Sequence, residues 1–503
     1  MNILLPRRSF LRKTATAGAL LGLGDFGFLS RLPRVSAAEA KLPKKSVQFR
    51  PEIEPLVRLI EETPGEKLLE EVATRIKGGT AYRDVLSALF LAGVRNIQPR
   101  PVGFKFHAVL VVNAAHLASQ NSPETDRWLP IFWALDYFKR MQAQNAREGN
   151  WSLGTVDESA VPAAEKSREL FESAMDHWDE SAADTAAAGI ARSANAQQVL
   201  DWFSRYGARD FRDIGHKAIY VANGWRTLKT IGWEHAEPVL RSVAYALLAH
   251  EQGNPAQRDA EADRPGRRSQ ELLTKIPAGW QHGKPDAGAT KTLLKTFRED
   301  SWEKAGDQVV ELLGKGVAPQ SLWDAVMAGA GELVMRKPNT VALHAVTTTN
   351  AMHYAFSHTT SDETRRFLLL QNAAFIPLFR EASGADKGLQ IDDFESAAPK
   401  AQGDAAIEEI FADATHDKLL AARKALAWLD AKGDAKTFIA AAQRLIYLKG
   451  TDPHDYKFCA AVIGDSGHMS STLRNRYLAA SVFKLKGSGL RDSELVARTR
   501  AAL

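Results

Sequence analysis

The sequence predicts an all-α fold made of two tandem, duplicated helical units. Two observations carry this expectation. Apolar residues recur at helical rather than alternating spacing along most of the chain, and β-branched runs bounded by turn signals are few. A twelve-residue pattern also occurs twice: His107-Ala-Val-Leu-Val-Val-Asn113-Ala-Ala-His116-Leu-Ala and, 237 residues later, His344-Ala-Val-Thr-Thr-Thr-Asn350-Ala-Met-His353-Tyr-Ala. Seven of the twelve positions agree, both histidines among them. Asp84-Val-Leu-Ser-Ala pairs with Asp324-Ala-Val-Met-Ala at an offset of 240. Ser122-Pro-Glu-Thr-Asp-Arg-Trp-Leu pairs with Ser361-Asp-Glu-Thr-Arg-Arg-Phe-Leu at 239, and His216 with His454 at 238. Anchors in constant order and nearly constant phase are what a duplication leaves behind.

The chain of 503 residues is longer than one hydrophobic core usually supports. Unit one is expected over 55–251 and unit two over 290–503, with helical patterns at 65–77, 82–92, 238–250, 418–431 and 434–448. Between the units, 252–289 is polar and dotted with Pro and Gly, which suits a linker; 145–166 reads as a loop whose Trp151 is a candidate lid or substrate contact. The two units are expected to form one globular body with pseudo-twofold symmetry around a central site, because helix bundles build sites from side chains on facing helices.

Residues 1–40 differ from the rest. Pro6-Arg7-Arg8-Ser9-Phe10-Leu11-Arg12-Lys13 is close to the twin-arginine export pattern, a weakly apolar run follows from Thr14 to Leu29, and Ser36, Ala37, Ala38 and Ala40 offer cleavage sites. That run is too short and too polar for a stable transmembrane helix. The reading is a twin-arginine signal peptide, export machinery as a partner, and a periplasmic or otherwise exported product; a basic tail is the alternative. The leader holds six cationic and two acidic residues, so it supplies +4 of the chain's net +5. No basic surface then argues for nucleic acid. The single cysteine, Cys459, excludes internal disulfides and Cys-based metal sites. Twin-arginine export carries folded proteins, often with a cofactor inserted, which favours a bound metal.

Four of the thirteen histidines form matched pairs at predicted helix starts, His107 with His344 and His216 with His454. Within each unit the spacing is 109 or 110 residues. Neutral imidazole is the commonest metal ligand, and four converging imidazoles suit iron, copper, nickel or zinc. The competing reading makes them helix caps or polar core. His116 and His353 lie nine residues on, about half a turn away, and read as core or interface histidines. Asn113 and Asn350, about 120° from the first histidine, are candidates for supporting a ligand or for a structural amide. Lys457 shares a helix face with His454, whereas Ile219 follows His216 at that spacing. A buried lysine beside a metal is nucleophilic when neutral and can take up carbon dioxide as a carbamate; a solvated lysine is the alternative. Tyr220 and Asp452 lie near the ligands in sequence and are candidate supporting groups.

His216-Lys-Ala-Ile-Tyr, Leu343-His344-Ala-Val-Thr and Asp452-x-His454-x-x-Lys457 together resemble the questin oxidase-like family. The resemblance spans most of the chain after the leader and implies non-haem iron oxygenases with four histidines and a carboxylated lysine around the metal. Position by position it implies His107, His216, His344 and His454 as nitrogen ligands of Fe(II), and carboxylated Lys457 as an oxygen ligand. The export leader and the long inter-unit linker depart from the pattern and leave the substrate open.

The expected function is therefore an exported mononuclear iron oxygenase using O2 on a small aromatic or polyketide-like substrate, by oxidative C–C cleavage or Baeyer–Villiger-type oxidation. The alternatives are a helical binding or scaffold protein with structural histidines, and a zinc or copper enzyme on the same four residues. Gly22-Leu-Gly24-Asp-Phe-Gly27 matches a dinucleotide fingerprint but follows no strand, and carries nothing. Glu-x-x-His pairs do not recur at equivalent positions, which argues against a di-iron bundle. The tryptophans concentrated in unit one suit core packing or an aromatic cavity wall.

Overall fold

A computed structural model describes residues 46–385, 388–431 and 434–503; the leader expected over 1–40 lies outside the described residues. The described chain is all-α. It holds two isolated bridges, Ser46 with Gly154 and Lys284 with Val317, and no strand among the described residues. None of its helices is long and apolar enough to cross a membrane.

The described residues divide into two compact bodies. The N-terminal body holds residues 46–263 and two later segments, His358–Ser361 and Ser493–Leu503. Its main helices are α1 (Glu54–Glu62), α2 (Gly65–Lys77), α3 (Tyr82–Asn96), α4 (His107–Leu110), α5 (Val112–Gln120), α6 (Leu129–Arg147), α7 (Ala164–His177), α8 (Glu180–Ser193), α9 (Ala196–Ala208), α10 (His216–Ile231) and α11 (Ala236–Leu247). The C-terminal body holds Arg264–Ser357 and Asp362–Asp492. Its helices are α12 (Arg264–Leu272), α13 (Ala287–Glu299), α14 (Trp302–Gly314), α15 (Pro319–Arg336), α16 (Thr340–His358, whose last residue goes with the other body), α17 (Asp362–Ser383), α18 (Asp404–Asp413), α19 (Lys418–Asp430), α20 (Ala435–Lys449), α21 (Pro453–Ser466) and α22 (Ser471–Ser481). The last helix, α23 (Glu494–Ala502), belongs to the N-terminal body.

Short polar side chains start many of these helices by accepting an otherwise unpaired amide of the first turn. Asp179, Asn195, Asp417, Asp434 and Asp452 all do so, and Asn195 with Gln198 and Asp452 with Asp455 close capping boxes. Pro453 then occupies the first helical position of α21, where its missing N–H costs nothing.

In the N-terminal body α10 packs against α3, α4, α5, α9 and α11 and is buried along most of its length. Its apolar core surrounds an ionic centre, Arg95 with Glu54 and Glu61, at 2.8 and 2.7 Å. In the C-terminal body α15 and α16 are buried nearly all round, as the innermost helices of a bundle must be. Here Glu332 takes the central place, bonded to Arg298 and Arg336 at 2.6 Å each.

The polar stretch 252–289 is structured. It contains α12, and Leu272, Ile276 and Trp280 bury their side chains while the charged residues around them stay outside. Trp280 also donates its indole N–H to Asp362 at 2.9 Å. The two late segments of the N-terminal body are held by polar contacts: Asp201 accepts from the Thr359 hydroxyl at 2.6 Å and the Thr360 amide at 2.9 Å. Arg498 and Arg500 of α23 pair with Glu70 and Asp126 at 2.8 Å.

Candidate metal centre

The N-terminal body brings His107 and His216 together. They begin α4 and α10 and are 5 % and 4 % exposed. Their rings stand at 90° with centroids 4.9 Å apart, and their Nε2 atoms are 3.1 Å apart. Each ring is oriented from its other side. His107 Nδ1 meets the Phe104 carbonyl at 2.8 Å, and His216 Nδ1 meets the Asp213 carbonyl at 2.5 Å. A carbonyl only accepts, so both Nδ1 atoms carry the proton and both Nε2 atoms of the neutral rings present lone pairs. Two lone pairs at 3.1 Å repel unless a proton or a cation lies between them. Two nitrogens bound at right angles to one metal, about 2.1 Å away from each, would lie about 3.0 Å apart, so the spacing fits adjacent ligands.

The C-terminal body brings His344 and His454 together in the same way. Their centroids are 5.0 Å apart and the rings stand at 83°. His344 is wholly buried and its Nδ1 donates to the Thr340 carbonyl at 2.7 Å. His454 Nδ1 meets the Asp452 carboxylate at 2.5 Å. That carboxyl is drawn two ways: desolvation raises it, but the His454 ring and amide together hold it well below the usual carboxylate range. A carboxylate behind an imidazole makes the far nitrogen a stronger donor to a metal than a carbonyl does. His107, His344 and His454 can each offer a ligand nitrogen to an ion.

His344 does not open its helix as expected. The Asn339 side chain accepts the Ala342 amide at 2.9 Å, so α16 begins at Thr340, one turn earlier. That extra turn supplies the carbonyl that orients the ring. His107 has instead a 3-10 turn, Phe104–Phe106, before it.

Lys457 lies one turn after His454 on α21 and is 3 % exposed. Its Nζ has no hydrogen-bond partner among the described residues. Burial pushes this amine down to about 7, with only partial compensation from Asp452. A buried ammonium without a partner is costly, so the site favours the neutral, nucleophilic amine.

The supporting candidates separate. Asp452 orients a histidine directly. Tyr220 is wholly buried; its hydroxyl donates to Ser242 at 2.9 Å and its ring meets Phe106, the residue before His107, edge-on at 4.7 Å. Burial pushes that phenol far up, which makes it packing behind His107 rather than a base. Asn350 donates to Asp465 at 2.8 Å and to the Ala461 carbonyl at 3.4 Å, tying α16 to α21. Asn113 is buried on α5. His116 bonds the Tyr82 hydroxyl at 3.0 Å, and His353 packs on Trp323 and His468, so neither joins the histidine pair of its own body. Trp151 stacks on Tyr245 inside the N-terminal body.

Phe104, Asp213 and Thr340 carry no sequence signal, because they act through backbone carbonyls that every residue type carries. Asn223 was also missed: it donates to the Leu110 carbonyl at 3.0 Å, tying α10 to α4, but has Ala461 at the matching position. Comparison with protein-family models, with curated proteins and with solved structures finds no match for this chain.

Proposed function

We propose that this chain is an exported mononuclear non-haem iron oxygenase acting on a small aromatic or polyketide-like substrate. The observation that carries the reading is the buried His107–His216 pair, with both Nδ1 atoms committed to carbonyls and the Nε2 atoms spaced like adjacent ligands. A second pair of like geometry, His344 and His454, supports it. On this reading His107, His216, His344 and His454 would be the nitrogen donors to Fe(II), and duplication of one helical unit explains why a histidine pair recurs.

Lys457 supplies the anionic ligand after its neutral amine attacks carbon dioxide. The N–C bond forms, one C=O π pair moves to oxygen, and a proton leaves, giving a carbamate. This removes the isolated buried amine and lowers the charge of the centre. Iron held by these residues would supply the one-electron chemistry through which O2 reacts with an organic substrate. The chain's own residues fix the donors: Phe104, Asp213 and Thr340 through carbonyls, and Asp452 through its carboxylate. C–C cleavage that retains both oxygen atoms needs no reductant. Baeyer–Villiger-type insertion of one atom needs two electrons from a donor to reduce the other to water. The leader of residues 1–40 would deliver the folded, loaded protein through the twin-arginine machinery to the periplasm or beyond.

Elemental analysis of protein exported through its own leader tests the reading, beside His344→Ala and Lys457→Ala. Stoichiometric iron in the wild type, lost or much reduced in both folded variants, is the expected result. Zinc or copper in its place would redirect the chemistry to the metal found. No metal in the wild type, or iron indifferent to both substitutions, would return the histidines to a structural role.

A further inference from the structure

We propose that the Gly103–Phe104 turn is the positioning element of the N-terminal histidine pair, setting His107 through the Phe104 carbonyl and His216 through contact with Gly103. What the pair does rests on the metal reading above; how it is held rests on backbone geometry alone.

Phe104 and Asp213 each stand three residues before a histidine, each accept that histidine's Nδ1–H, and each have a positive φ, 47° and 50°. Ile214 (φ 46°) and Gly215 (φ 80°) extend the second turn. Left-handed backbone is strained for a non-glycine residue, and it persists only where the surroundings hold it. A histidine at the first position of an α-helix has no preceding α-helical turn to accept its Nδ1–H, only a short 3-10 turn in both cases here. The left-handed residue turns a carbonyl to that place, doing for His107 and His216 what Thr340 does for His344 inside a regular helix. The C-terminal pair needs no such device: among the described residues no positive φ occurs between Gly316 and Gly384 or after Gly403.

The first turn also reaches the second histidine. Gly103 has φ 130°, open in practice only to glycine, and the His216 ring lies against its Cα. A Cβ there would sit 3.1 Å from Cε1, 3.2 Å from Nδ1 and 3.3 Å from Nε2 of His216. One methyl at position 103 must therefore move the His216 ring relative to His107 by a few tenths of an ångström. Metal–nitrogen bonds tolerate about 0.2 Å.

The experiment titrates Co(II) into metal-free full-length protein, with thermal unfolding of the same samples. Gly103→Ala is expected to weaken binding roughly 10–100-fold, the range seen when a ligand loses its support. Gly253→Ala is the control: it also replaces a positive-φ glycine of the N-terminal body, but with nothing within 4 Å of the new methyl. It should lower stability while leaving affinity unchanged. Phe104→Asn, which tolerates the left-handed region, should keep the affinity, and Phe104→Val, which does not, should lose it. Unchanged affinity in folded Gly103→Ala, or in Phe104→Val should the former fail to fold, would overturn the proposal. Should the wild type bind no Co(II), the metal reading fails and the turn is judged by ¹⁵N shifts of labelled histidines. His107 and His216 should then both be Nδ1–H tautomers in the wild type, and His216 should lose that state in Gly103→Ala; unaltered shifts would overturn the proposal independently of any metal.

Discussion

Two buried lysines, one in each body, stand beside a candidate ligand and live in opposite surroundings. Lys217 follows His216 directly and is 1 % exposed; its Nζ donates to Asp210 and to the Ala249 carbonyl, both at 2.8 Å. Its ammonium also lies 5.0 Å from the centre of the Trp178 ring, which Arg209 and Arg212 approach as well. Lys457 is equally buried and has no hydrogen-bond partner among the described residues. Both amines are pushed down by burial, Lys217 to about 8 and Lys457 to about 7, but only Lys217 has a carboxylate bonded to it. A residue kept for stability is satisfied by its own fold. A residue buried at a cost to stability is where a function is to be sought.

Substituting each lysine by methionine separates the two cases, and gives the largest effect expected here. Lys217→Met leaves wholly buried Asp210 with the Arg212 backbone amide at 3.0 Å and the longer ionic contacts to Arg212 at 3.3 Å and Arg209 at 3.8 Å. Removing one partner of a buried pair costs about 3–5 kcal/mol. Lys457→Met exchanges an unpaired amine for an apolar chain of similar length, and Ile219, 2 % exposed, already occupies the position that the sequence match assigns to it in the N-terminal body. Denaturant unfolding of metal-free protein should show a large loss for Lys217→Met and no loss, or a gain, for Lys457→Met. Equal losses would show that Lys457 is a structural residue like Lys217.

How much of this contrast could be read from the sequence follows from what kind of interaction makes it. The helical fold was legible because apolar spacing and caps are local; Asp452-Pro453 marks the start of α21, and the spacing of His454 and Lys457 puts both on one face. The four histidines stood out because a repeated pattern needs no knowledge of packing, whereas the contacts of His107 with His216 and of His344 with His454 depend on it. The left-handed turns were not, since Phe104 and Ile214 are residue types that avoid positive φ, and tertiary contacts hold them there. The segment 252–289 reads as a linker because its charged residues outnumber the few apolar ones, Leu272, Ile276 and Trp280 among them, that anchor it. The partners of Lys217 were hidden for the same reason: Asp210 and Ala249 meet it only once α9, α10 and α11 have packed.

The pH dependence of stability sharpens the comparison at a smaller scale. Lys457 titrates near 7 in the folded protein and near the ordinary lysine value of 10.5 when unfolded. Between those values the unfolded chain binds the extra proton, so stability rises with pH across the window and is flat with respect to this group below about 7. The slope is at most about 1.4 kcal/mol per pH unit. Lys217 adds a similar rise that begins later, near 8. Metal-free wild type should therefore gain stability more steeply than Lys457→Met between pH 7 and 8, where the Lys217 contribution is still small. Parallel profiles would mean that Lys457 finds a partner in solution.

The smallest difference concerns how each body ties its two histidine helices together. The C-terminal body uses Asn350 on the first helix, which reaches the carbonyl of Ala461 on the second and the buried Asp465, itself bonded by the Tyr477 hydroxyl at 3.0 Å. The N-terminal body uses Asn223 on the second helix, which reaches back to the Leu110 carbonyl of the first. Asn350→Ala strips a hydrogen bond from a buried carboxylate and should cost about 2 kcal/mol, whereas Asn223→Ala removes a neutral, half-buried bond and should cost about 1 kcal/mol or less. The two substitutions also differ in what remains. Without Asn350, α16 and α21 lose a tie close to His344 and Lys457, so metal affinity should fall along with stability. Without Asn223, the Gly103–Phe104 turn still holds His107 and His216, and affinity should persist. An Asn223→Ala protein that folds but binds metal as weakly as Asn350→Ala would show that the helices, not the left-handed turns, set the N-terminal pair.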